Sequence, residues 1–262
     1  MDLHALPHWT CLDFISDLHL HPSDPATFQA WQAYLARTRA DALFILGDLF
    51  EVWVGDDTLD QGPSFAMDCV AALHGAAQRR SLFLMCGNRD FLMGERLTRA
   101  CGAHYLPDPT CLHFGGQAWA LCHGDALCLD DVAYLQFRQW VRSPQWQSSF
   151  LAKPFAERQQ IAQDLRQQSE ARKQAGEAYA DVDAGAAAAL LHQCAAETLI
   201  HGHTHRPGQH RWHDAAGRLL QREVLSDWDG QSQPPRAEVL RLQRSPTGVI
   251  QLLRLAPQDC GA

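Results

Sequence analysis

Five short apolar runs in this chain each end at a residue type that binds metals, and this limits the fold more than anything else in the sequence. Residues 12–16 run into Asp17-Leu18-His19, and residues 43–46 into Gly47-Asp48. Residues 82–85 lead to Gly87-Asn88-Arg89-Asp90. A run ending at Cys122 leads to His123-Gly124-Asp125, and Leu199-Ile200 leads to Gly202-His203-Thr204-His205. Runs this short and apolar read as buried strands. Helical patterns at 27–39, with Phe28, Trp31 and Leu35 on one face, and at 65–80 alternate with them. Strands alternating with helices imply an α/β sheet core. Open α/β sheets place their sites in loops at the C-terminal strand ends, so five such loops can converge on one point.

Two hairpins are expected, one over 112–122 around Gly115-Gly116, the other pairing 238–242 with 249–255. The 262 residues fit a single domain spanning 1–262 that carries an insertion. Residues 136–175 have little strand character and hold seven basic against three acidic residues, broken by Pro144 and Pro154. They read as a helical cap insertion over about 132–180. Its net charge of +4 stands out in a chain of formal charge −8. That acidic balance argues against a nucleic-acid partner. Nine scattered cysteines form no Cys-x-x-Cys pair, so neither a disulfide framework nor a cysteine zinc site is expected, and a reducing cytosol fits. The first residues show no secretory pattern. The uncharged run 184–196 is too short to cross a bilayer, which takes about 20 residues. Residues 258–262 read as a loose tail.

Each strand-end element alone has an ordinary reading. Asp17 can cap a helix, Gly47-Asp48 and Gly87-Asn88 can be turns, and His123 can be a satisfied strand-end histidine. Five in order are hard to produce by chance. Carboxylate, amide and imidazole donors suit two divalent ions sharing a carboxylate, for which Asp48 is the natural bridge. The donor set favours Mn²⁺, Fe²⁺ or Zn²⁺ over Ca²⁺ or Mg²⁺.

The ordered set resembles the calcineurin-like metallophosphoesterase family over roughly residues 12–207. The resemblance implies two packed mixed β-sheets flanked by helices. It implies one metal on Asp17, His19, Asp48 and His205, and a second on Asp48, Asn88, His123 and His203. His201 falls outside the motif as a structural histidine, and His210 and His213 are expected to face solvent. Most relatives carry histidine where this chain has Arg89. Arginine grips phosphate but donates no proton near neutral pH, which points to a phosphoanhydride with two phosphates. The plain alternative is an ion pair between Arg89 and a neighbouring carboxylate.

The longer motifs Phe14–Leu20, Gly47–Trp53, Gly87–Leu92 and His123–Cys128 with Asp130-Asp131 are similar to the subgroup acting on UDP-2,3-diacylglucosamine. The resemblance implies hydrolysis of the pyrophosphate to UMP and a diacylglucosamine 1-phosphate, with water activated by two metals, Mn²⁺ foremost. It implies roles for Asp48, Asn88, Arg89 and His203 at the reacting phosphate. Asp131, Arg166, Ser169 and Lys173 (or Arg172) would contact the rest of the substrate. Asp90 and Asp125 are expected to orient ligand histidines. The basic, aromatic cap would hold acyl chains and meet an anionic membrane, as a monomer on the cytoplasmic face of the inner membrane. The rivals are a hydrolase of soluble nucleotides or dinucleotide polyphosphates, and a non-enzymatic metal-bound scaffold.

Overall fold

The first three apolar runs become parallel strands covered on both faces, which is why they lack the polar alternation of a half-exposed strand. The computed structural model describes residues 1–174 and 180–261, without the side chains of 168–174. The chain runs β1 (Asp2–His4), β2 (Cys11–Ile15), α1 (Pro25–Arg37), β3 (Ala42–Leu46), α2 (Phe65–Ala77) and β4 (Ser81–Met85). Next come α3 (Glu95–Cys101), β5 (His104–Tyr105), β6 (Thr110–Phe114) and β7 (Gln117–Leu121). Three helices follow without a strand between them: α4 (Val132–Val141), α5 (Pro144–Leu151) and α6 (Phe155–Gln174). The chain continues through α7 (Ala184–Gln193), β8 (Thr198–His201), β9 (Gly208–His213), β10 (Leu219–Val224), β11 (Val239–Arg244) and β12 (Ile250–Leu255).

The strands form two six-stranded mixed sheets, ordered β1-β6-β7-β8-β10-β9 and β12-β11-β2-β3-β4-β5. Side chains alternate across each strand. Phe14, Phe44 and Phe83 therefore point together between the sheets, their rings stacked 4.9 and 4.7 Å apart. Leu12, Leu112, Leu121, Ile200 and Leu240 fill the same layer. On the opposite face of β2–β4, Ile15, Leu43, Ile45, Leu82 and Leu84 pack with Trp31, Leu35, Leu73 and Leu97 of α1–α3. Helix α7 covers the outer face of the other sheet through Ala187, Leu190 and Leu191. Both expected hairpins form, β6 with β7 and β11 with β12.

Two sequence expectations are corrected. Cys111 and Cys194 form a disulfide, because β6 and the end of α7 bring their Cα atoms to 5.3 Å, within bridging range. A separation of 83 residues hid this pair. Residues 258–261 are not loose, and Ala262 lies outside the described residues. Pro257–Gly261 forms a short 3₁₀ turn, Cys260 is buried, and its carbonyl accepts from Arg241 at 2.9 Å and from the Arg39 amide at 3.3 Å.

Arg241 belongs to a buried polar cluster around Asp13 on β2. The carboxylate accepts from Arg241 Nε at 2.7 Å, Tyr34 Oη at 2.9 Å and Thr38 Oγ1 at 2.6 Å. Removing one partner from a buried pair strands the other charge. Asp13→Ala is therefore expected to lower unfolding stability by about 3–5 kcal/mol in urea titration. A loss below about 1 kcal/mol, the range of exposed pairs, would contradict this account of the cluster.

Candidate metal centre

Strand register brings the polar strand ends together. Phe14, Phe44 and Phe83 are aligned across β2, β3 and β4, so the loops bearing Asp17, Asp48 and Asn88 leave one edge of that sheet. Leu121 is aligned with Ile200 in the other sheet, so His123 and His203 leave beside each other. Backbone strain marks the same spot. Six non-glycine described residues have positive φ, and five are Asp17, His19, Asp48, His203 and His205, with φ between 47° and 68°. Such conformations are rare outside glycine and persist where the surroundings over-determine them. Close approach completes the cradle. A Cβ on Gly87 would overlap the Asp48 carboxylate, and one on Gly202 would overlap Asp17.

Asp17, His19 and His205 form one candidate ligand cluster, and Asp17, Asp48 and His123 a second, donor atoms within each lying within 4.8 Å. Asp48 Oδ2 lies between the two, 3.9 Å from His19 Nε2 and 3.7 Å from His123 Nε2. Asn88 Oδ1 is 3.0 Å from His123 Nε2 and 2.9 Å from His203 Nδ1. His19 and His205 face each other nitrogen to nitrogen at 3.3 Å. His123 Nδ1 lies 2.9 Å from the Leu46 carbonyl; donating there leaves Nε2 as the inward donor atom. This set of imidazole, carboxylate and amide donors fits a pair of divalent ions, and it does not distinguish Mn²⁺ from other metals. All seven expected ligands lie together here.

Charge is concentrated at this edge. Burial opposes ionisation of Asp17, but His205, His123 and His19 outweigh it and hold the carboxyl far below its ordinary range. Burial likewise opposes a charged His123, but Asp48, Asp17 and Asp125 raise its pKa to about 9. Burial and the charge of His123 push His203 down to about 4. His201 is fully buried behind the loop and bonded to the Gly202 carbonyl at 2.8 Å, as befits a structural histidine, while His210 and His213 are exposed.

Asp90 and Asp125 do different work from that expected. Asp90 orients backbone rather than histidines. It accepts from the amides of Gly87, Leu49 and Phe50 at 2.7, 2.8 and 3.3 Å, pinning the Asn88 loop to the Asp48 loop. Asp125 anchors α4, accepting from Tyr134 Oη at 2.5 Å and Arg138 Nε at 2.7 Å. Tyr134 in turn stacks on the His203 ring at 6.1 Å.

Four arginines of the helical segment turn inward. Besides Arg138 on Asp125, Arg142 donates to the Gly87 carbonyl at 2.9 Å, Arg158 to Asp57 at 3.0 Å, and Arg166 meets Glu51 at 2.5 Å. Glu51 went unnoticed in sequence although it lies inside the Gly47–Trp53 motif. It also contacts His19 and Arg89. Arg89 therefore does pair with a carboxylate, but with this buried one rather than Asp90. The side chains of Ser169, Arg172 and Lys173 lie outside the described residues. Asp131 caps α4, accepting from the Tyr134 amide at 3.0 Å.

Between the strand ends and the three helices lies a cavity of about 510 Å³. The strand-end loops line it with His19, Asp48, Asn88, Arg89, His203 and His205, and Asp131 and Arg166 add polar groups from the helical side. Its apolar lining includes Phe91, Phe137, Trp146, Phe150 and Leu165. Trp146 and Phe150 stack at 4.6 Å, and Trp140 packs edge-on against Trp146 at 5.8 Å. Gly87→Ala is expected to displace Asp48 and weaken Mn²⁺ binding by about tenfold or more in calorimetric titration. An unchanged affinity would show that Asp48 does not need this close approach.

Comparison with known proteins agrees with the geometry. The family description "Calcineurin-like phosphoesterase" matches residues 12–207. A UDP-2,3-diacylglucosamine hydrolase of Chromobacterium violaceum is 49% identical over 223 residues, covering 84% of this chain and 91% of that protein. The hydrolase of the same name from Aromatoleum aromaticum is 48% identical, over 82% of this chain and 88% of the relative. That of Bordetella pertussis is 43% identical, over 87% and 90%. With two ligand clusters on a family scaffold, the protein is a metal-dependent phosphoesterase. The chain belongs to the calcineurin-like phosphoesterase family.

Proposed function

We propose that this chain hydrolyses the pyrophosphate bond of UDP-2,3-diacylglucosamine, giving UMP and 2,3-diacylglucosamine 1-phosphate. The observation that carries this reading is the mixed cavity: metal-ligand donors, arginines and aromatic side chains line one continuous space. A substrate with a charged pyrophosphate at one end and acyl chains at the other matches this lining. The relatives named for this activity support it.

In this reading Asp17, His19, Asp48 and His205 hold one ion, Asp48, Asn88, His123 and His203 the other, with Asp48 shared. Mn²⁺ is our choice for both. Two bound divalent ions supply a water of lowered pKa and offset charge on the phosphoryl oxygens. Asn88 and His203 position the uridine-linked phosphate. Arg89, with a permanent charge and a planar fork, grips the second phosphate, whose departure as a phosphate monoanion or dianion needs no proton from the protein. Arg166, Asp131 and a residue among Ser169, Arg172 and Lys173 hold the glucosamine phosphate end. Helices α4–α6 act as the cap of a single domain.

The cap also supplies the membrane contact in this reading. Leu129, Val132, Trp140, Leu151 and Leu165 are exposed, in or just before the helical segment. Four of its arginines are engaged with the core, so exposed apolar side chains share this contact with the segment's basic charge. Among the described residues no helix is long and apolar enough to cross a membrane. Peripheral attachment at the cytoplasmic face of the inner membrane, by a monomer, completes this reading.

The direct test is UMP release from UDP-2,3-diacylglucosamine with Mn²⁺, expected to be abolished by chelator and restored by added metal. Equal or faster cleavage of soluble UDP-sugars would exclude the lipid substrate while keeping the metal chemistry. Leu165→Glu, which puts a charge in the apolar wall, is expected to raise KM for the diacylated substrate about tenfold, the factor that about 1.4 kcal/mol of binding represents. Unchanged KM would place the acyl chains elsewhere.

A further inference from the structure

We propose that Glu51 is a positioning residue that couples the metal centre to the phosphate-gripping arginines, using a different oxygen for each. The substrate named here rests on the functional reading above; the geometry does not. Glu51 follows directly from the Asp48 loop. The His19 amide donates to the Asp48 carbonyl at 3.0 Å, the Leu20 amide to Leu49 at 2.9 Å, and the Glu51 amide back to Leu20 at 3.3 Å. This short parallel ladder sets the Glu51 side chain beside the His19 ring. The Glu51 side chain is 8% exposed. A carboxylate at that depth is costly unless cations surround it.

The two oxygens are divided. Oε2 lies 3.1 Å from His19 Nδ1. The approach is off the ideal line, since Nδ1 has no well-aligned hydrogen-bond partner. It still favours the proton on Nδ1, leaving Nε2, which faces Asp48 and His205, to bind metal. Oε1 lies 2.5 Å from Arg166 Nη1 and 3.6 Å from Arg89 Nη1. Arg89 comes from the loop after β4 and Arg166 from α6, so one oxygen gathers guanidinium groups from both walls of the cavity. A single anion thus keeps two cations clustered where a pyrophosphate would lie, and offsets their mutual repulsion.

Glutamine at position 51 keeps the shape but has one acceptor oxygen and no charge, so it cannot serve both sides. In metal-stripped Glu51→Gln, Mn²⁺ titration by calorimetry is expected to show about tenfold weaker binding, the range found when a ligand histidine loses its carboxylate partner. KM for UDP-2,3-diacylglucosamine rises in the same variant. Arg166→Gln removes the Oε1 contact and leaves Oε2 with His19, so it is expected to raise KM and leave Mn²⁺ affinity within about twofold, well short of the loss a histidine partner causes. Glu51→Gln with wild-type Mn²⁺ affinity overturns the proposal, and so does Arg166→Gln with metal binding weakened as far as Glu51→Gln. Should Glu51→Gln not fold, ¹⁵N-histidine spectra of the zinc-loaded wild type decide: His19 protonated at Nδ1 supports it, and His19 protonated at Nε2 overturns it. Wild-type protein that binds Mn²⁺ but spares the lipid substrate would defeat the functional reading alone, since the metal titrations still judge Glu51.

Discussion

Asp17 and Asp48 are carboxylates buried at the edge where two sheets meet, and the rest of the site answers the electrostatic problem they pose. A charge this far from water needs close partners. Imidazoles supply them from the Asp17 loop itself and from two further loops, and each loop arrives because an in-register strand ends there. The backbone bends out of its ordinary range at five of these residues to make the side chains converge. That strain is held by the rigid layer beneath, where stacked phenylalanines and the Asp90 contacts fix the loop roots.

The helical segment is the second answer. Four of its arginines reach Asp125, Asp57, Glu51 and the Gly87 carbonyl, so part of the charge that distinguishes it in composition ties it to the acidic body. What remains for the cavity is its aromatic side. The polar floor and the apolar wall are therefore products of one arrangement: charged groups face the strand ends, and tryptophan and phenylalanine face the space left over. Asp125 illustrates the economy of the join, since its partner Tyr134 also stacks on His203.

Much of this was legible in the sequence because it is local. Each ligand stands within a few residues of the apolar run that places it, and each central strand announces itself by uninterrupted burial. Hairpins around Gly115-Gly116 and the Ser245–Gly248 turn were readable for the same reason. The illegible parts depend on distant partners. Nothing near Arg158 in sequence announces Asp57, and Cys111 finds Cys194 only after α7 packs on the outer face of the β6-β7-β8 sheet. Composition shows that a segment is basic but not which way its charges face. Strands β1 and β5 are too short for a pattern, and β9 is polar and mostly exposed at the sheet edge. Glu51 was visible as a letter in a motif, yet only the ladder beside His19 reveals its use.

The central claim is that the two sheet edges build one centre for two ions around Asp48. Anomalous diffraction from Mn²⁺-loaded crystals tests it most directly. The account predicts two peaks about 3.5–4 Å apart, the spacing of two-metal sites, with Asp48 touching both. A single peak, or a pair that Asp48 does not join, would contradict it.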